Sequence, residues 1–153
     1  MERGYSFAEL LIVIALIGLF VLFGGPAMLD AFRAYKVRSI ANNVTVDLRA
    51  MRYNAVSRRA TQTMTVNNQA HATAPNRYIY SNYQGNPITV MIESGVNIET
   101  TSAAAITFNM YGSTGVSGNQ SVIVSTAING SRNDRYTITV TPTGTISSAY
   151  STF

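Results

Sequence analysis

From Leu10 to Leu29 the chain carries no charged residue. At 1.5 Å per helical residue this stretch is about 30 Å long, the hydrocarbon thickness of a bilayer. Roughly a dozen of its residues are Leu, Ile, Val or Phe, each favouring insertion by about 0.3–0.6 kcal/mol. Their sum outweighs the ~3 kcal/mol cost of Pro26 and the smaller costs of the glycines. A membrane-spanning helix is therefore predicted. Beside it, a chain of 153 residues has room for one compact domain and not for two.

The flanks of the apolar run do not read as a removable secretory signal, which would have a basic start, a short apolar region and a small-x-small cleavage site. Here Met1-Glu2-Arg3-Gly4 precedes Tyr5-Ser6-Phe7-Ala8-Glu9. The run then passes through Gly18, Gly24, Gly25 and Pro26 into an amphipathic segment with no Ala-x-Ala stop. Retention is predicted. Glu9 is the anomaly, because a carboxylate near the start of an apolar helix costs up to roughly 3 kcal/mol if carried to mid-bilayer. If the chain were cut after Gly4, the new amine on Tyr5, or that of a neighbouring subunit, would lie within reach as its counter-charge. Such a pair specifies alignment more than it adds stability, since a misaligned neighbour leaves a charge unpaired.

Arg3-Gly4-Tyr5-Ser6-Phe7-Ala8-Glu9-Leu10-Leu11-Ile12-Val13-Ile14-Ala15-Leu16-Ile17-Gly18, followed by Pro26, resembles the class III signal of type IV pilins and type II secretion pseudopilins. The resemblance implies a four-residue leader (1–4), cleavage by a prepilin peptidase between Gly4 and Tyr5, N-methylation of Tyr5, an assembly role for Glu9, and a helix bend at Gly24, Gly25 and Pro26. The family usually has Phe or Met at the position of Tyr5, and a β-branched residue or Leu at that of Ala8. It further implies a single-pass protein of the bacterial inner membrane, with its head in the periplasm or outside, that passes into a pilus or pseudopilus fibre. Its partners would be other pilin or pseudopilin subunits, the peptidase, and membrane lipid before assembly.

Beyond Pro26, Val37, Ile40, Ala41, Val44, Leu48, Met51 and Ala55 fall at steps of three and four, one stripe along a helix reaching about Arg59. The stripe should pack under a head, leaving a basic side with Arg38, Arg49 and Arg52 turned to water, lipid headgroups or other subunits. From Ala60 the period becomes two. Strands are predicted at Thr61–Val66, Arg77–Tyr83, Ile88–Ile92, Ile106–Met110, Ser121–Ile128 and Tyr136–Thr141, with turns rich in Gly, Pro and Asn between them. The expected fold class is α+β: a long N-terminal helix, transmembrane in its first half (5–29) and amphipathic in its second (30–59), packed against one antiparallel sheet in a head (60–153). The loop from Tyr111 to Gln120 is expected to be mobile.

In this second part the chain is similar to the H-type secretion pseudopilin and FimT minor-pilin family. The carrying residues are Asp47 to Arg59, Ile106-Thr107-Phe108-Asn109 running to Gly112, and Tyr136 to Gly144. The resemblance implies a pilin-like fold and a structural, minor subunit; a major pilin and a DNA-uptake pilin are the alternatives. Some members of the family bind DNA through arginines after the Gly of the final turn. Here Gly144-Thr145-Ile146-Ser147 has none, and Arg132 and Arg135, placed in the preceding loop, are the substitutes, with Tyr136 or Tyr150 for stacking.

Charged residues make up only 12% of the chain, and the formal charge of +4 is concentrated between Arg33 and Arg59. There is no cysteine, which excludes disulfides, zinc–thiolate sites and thiol catalysis. His71 is the only histidine, so no Ser/His/Asp set is arguable. Glu93, Glu99 and Asp134 are too scattered for a calcium site. Gly112 to Gly118 lacks the Lys and helix of a phosphate loop. The chain is read as a non-enzyme without cofactor or metal.

Overall fold

The computed structural model describes residues 6–67, 76–129 and 132–153. Gly4, Tyr5 and His71 lie outside the described residues. The chain divides into two units, Met1–Phe32 and Arg33–Phe153. Helix α1, Phe7–Arg58, supplies nearly all the described residues of the first and the opening of the second. It continues through Gly24, Gly25 and Pro26 rather than ending there.

α1 ends on a left-handed residue. Arg59 has φ 50°, and the bonds Ala60 N–H to Ala55 carbonyl (3.1 Å) and Arg59 N–H to Val56 carbonyl (3.3 Å) form a Schellman cap. The position usually takes Gly, and Arg there costs about 1 kcal/mol. The chain then turns into strands β1 (Gln62–Asn67), β2 (Arg77–Ser81), β3 (Pro87–Met91), β4 (Asn97–Ile98), β5 (Ala105–Phe108), β6 (Gln120–Asn129), β7 (Arg132–Val140) and β8 (Ile146–Thr152).

These strands form two four-stranded antiparallel sheets, ordered β3-β2-β1-β5 and β4-β6-β7-β8. That corrects the single sheet expected from sequence. Periodicity locates strands but not their partners, and the segment between Phe108 and Gln120 carries the chain from one sheet to the other. That segment is also not a free loop at its start: Gly112 and Thr114 are buried, and Thr114 N–H donates to the Pro142 carbonyl at 3.0 Å. The two-residue β4 and the whole of β8 are elements the periodicity did not mark.

The stripe predicted on α1 is the wall of the core. Val37, Ala41, Val44, Leu48, Met51 and Ala55 are each at most 1% exposed, while Val46 and Tyr53 on the opposite side are 60% and 70% exposed. They join one cluster with Met64, Tyr78, Ile106 and Phe108 of the first sheet and Val122, Val124, Ile138 and Val140 of the second. Polar contacts fix the helix rotation. The Tyr78 and Tyr80 hydroxyls donate to the two oxygens of Asp47 at 2.6 and 3.0 Å, and Arg52 Nε donates to the Gly112 carbonyl at 3.0 Å. At the start of this unit Arg33 donates to the Ile128 carbonyl, and Lys36 pairs with Glu93 at 3.0 Å.

Candidate functional site

Helix initiation places Glu9. The first backbone N–H groups of any helix have no intrahelical acceptor, and Ser6-x-x-Glu9 meets that need locally. Glu9 Oε2 accepts from the Ser6 N–H at 3.0 Å, and Ser6 Oγ accepts from the Ala8 N–H at 3.3 Å. This is a variant of the capping box, and it holds a carboxylate at the positive end of the helix dipole. The sequence reading assigned Glu9 only to an amine partner; the Ser-x-x-Glu spacing was the overlooked signal. Ser6 thus joins Glu9 as a residue that shapes this end of the chain.

C-terminal to this cap lies an apolar surface that nothing in its own unit covers. Every large apolar side chain described between Phe7 and Leu29 is more than half exposed, from Leu11 and Leu16 at 51% to Phe7 at 77%. The helix is long and apolar enough to cross a membrane. A Cβ added at Gly18, Gly24 or Gly25 would meet nothing within 4 Å, so no packing inside this unit requires those glycines.

Arg132 and Arg135 belong to β7 and not to the loop in which sequence reasoning placed them, because the β6–β7 ladder extends to the pair Asn129–Arg132. Both guanidinium groups are engaged. Arg132 donates to the two Asp134 oxygens at 2.7 and 3.0 Å and to the Tyr150 hydroxyl at 3.0 Å. These bonds, Asp134 first, raise its pKa above the ordinary arginine value. Arg135 pairs with Glu99 at 2.7 Å and lies 4.1 Å from the centre of the Phe153 ring. Tyr136 and Tyr150 pack on each other with ring centres 5.0 Å apart.

The scattered acids therefore have partners: Glu93 with Lys36, Glu99 with Arg135, Asp134 with Arg132. Among the described residues no three His, Cys, Asp or Glu side chains come together as a metal site would require. Asp47, to which the sequence reading assigned no site role, is held by Tyr78 and Tyr80 between α1 and β2.

No family model, no curated protein and no solved structure matches the chain.

Proposed function

We propose that the chain is a non-enzymatic fibre subunit of the type IV pilin and type II secretion pseudopilin class, cut after Gly4, methylated on Tyr5, and assembled through its N-terminal helix. The observation that carries this reading is the first unit itself: an uncovered apolar helix that opens on a lone carboxylate. Such a surface needs apolar cover from outside, and lipid tails and neighbouring helices provide it about equally well. Transfer from membrane to fibre is then nearly isoenergetic, and direction comes from what pairs with Glu9. Glycines without an intramolecular reason suit close approach of neighbouring helices. The pilin-like fold, the minor-subunit role, the peptidase and subunit partners and the inner-membrane location belong to this proposal.

A DNA-uptake role is the weaker reading, because Arg132 and Arg135 are already ion-paired and packed with Tyr150 and Phe153.

The test is a pair of variants in the producing cell. Replacing Gly4 by a bulky residue should leave an uncut precursor in the membrane, and Glu9→Val should be cut and inserted but incorporated into fibres at a level reduced at least tenfold. A normal mature mass for the first, or unchanged incorporation of the second, refutes the proposal.

A further inference from the structure

β8 forms one edge of the second sheet and, among the described residues, is hydrogen-bonded only to β7. Asn133 and Phe153 exchange backbone bonds at 2.9 and 3.1 Å at one end, and Thr141 N–H donates to the Thr145 carbonyl at 2.9 Å at the other. Antiparallel ladders alternate, so between these ends Ser147, Ala149 and Ser151 bond to β7. The N–H and C=O groups of Ile146, Ser148, Tyr150 and Thr152 point away from it. No described residue takes up those groups.

The other edge strands are shorter than β8 and offer fewer open groups. β4 has two residues, β3 opens on Pro87, and the outer side of β5 is met by Gln120, whose Nε2 donates to the Ala105 carbonyl at 3.0 Å. β8 is seven residues long, exposed beyond Ile146, and without a charge, a proline or a bulge in its pairing. Such an edge is a template for another strand. The charges beside it are neutralised in pairs, Arg132 with Asp134 and Arg135 with Glu99, so the rim favours an uncharged arrival.

We propose that the arriving strand is β8 of a second copy, antiparallel about a twofold axis at Ala149. In this register Ile146 bonds the partner's Thr152 and Ser148 the partner's Tyr150, so every open backbone group of the strand is used. The intervening rows, where Cα atoms approach to about 4.5 Å, set Ser147 against the partner's Ser151 and Ala149 against the partner's Ala149. The side chains in these rows are all small. An axis at Ser148 or Tyr150 instead would leave an end residue unpaired. The inference stands apart from the assembly role of the N-terminal helix.

Because the chain has no cysteine, single thiols report the register directly. In the full-length protein purified in detergent, Ala149→Cys should yield at least tenfold more disulfide-linked dimer on mild oxidation than Ser117→Cys in an exposed loop, since facing Cβ atoms at this spacing suit a disulfide. Ser147→Cys and Ser151→Cys should cross-link poorly alone and efficiently when mixed. Ser148→Pro removes an N–H that points away from β7, so it should lower the Ala149→Cys dimer at least tenfold with an unchanged circular dichroism spectrum. The double variant Ser147→Lys/Ser151→Lys, which opposes like charges across the axis, should do the same if the proline perturbs the fold. The proposal is overturned if Ala149→Cys cross-links no better than Ser117→Cys, if Ser147→Cys alone matches it, or if neither blocking variant that keeps the spectrum lowers the dimer. A monomeric chain, as expected were a segment of a different protein the true occupant, overturns it as well.

Discussion

Asp47 holds two phenols, and the consequence is a pH dependence at the alkaline end. Burial first, then the bond to Asp47 and its charge, push the Tyr78 hydroxyl above the usual tyrosine value of about 10. A folded-state pKa above the unfolded one gives stability that is complete below the unfolded value. That stability is lost as pH rises towards the folded value, because the unfolded chain releases its proton first. Tyr78→Phe should therefore cost roughly 1–2 kcal/mol at neutral pH and flatten the loss of stability above pH ~10, checked by denaturant unfolding at both pH values. Tyr80, raised by the same causes, keeps the profile from becoming wholly flat. Gly144 is a second sensitive position. Its φ is +81°, and a Cβ there would lie 1.8 Å from the Gly112 carbonyl oxygen. Gly144→Ala should lower stability by at least about 2 kcal/mol and shift the melting temperature accordingly; an unchanged melting temperature would show the turn can move away. Neither site was legible in the sequence. An acid in a helix and a glycine in a turn look the same whether or not a partner distant in sequence folds onto them.

α1 was the most legible element because its signal is local: steps of three and four from Val37 to Ala55 require a buried stripe whatever covers it. Leu48→Ala should cost about 2–5 kcal/mol, since the side chain is fully buried. Val46→Ala, two residues away and 60% exposed, should stay within about 0.5 kcal/mol. Equal losses would refute the assigned face. Strand positions were readable for a related reason, yet β7 begins at Arg132, four residues before the predicted Tyr136, because Arg132 and Asp134 look like loop residues until their mutual ion pair is seen. β8 was missed because only Ile146 faces the core; a strand exposed along both sides has no alternation to detect. Sheet membership was not encoded locally at all, since β4 joins the second sheet from between two strands of the first.

The unit Arg33–Phe153 carries ten basic residues against four acidic ones. All four acids are engaged: Asp47 by two tyrosines, the other three by Lys36, Arg135 and Arg132. Its remaining basic side chains are exposed, while the large apolar side chains described between Phe7 and Leu29 in the unit before it are more than half exposed. The full-length chain should accordingly stay with the membrane fraction through alkaline carbonate extraction, whereas Leu16→Lys/Leu19→Lys, adding about 5 kcal/mol or more to the insertion cost, should be released. Retention of that variant, or release of the parent chain, would contradict a spanning helix.

The core is assembled from residues that are far apart in the order of synthesis. Val37 to Ala55 leave the ribosome first, but Val122, Ile138 and Val140, which share their cluster, come about 85 residues after Ala55 at the latest. At 5–20 residues per second the greasy ledge of the helix waits roughly 4–17 s for its last neighbours. During biosynthesis that ledge is therefore exposed for seconds unless another apolar surface covers it.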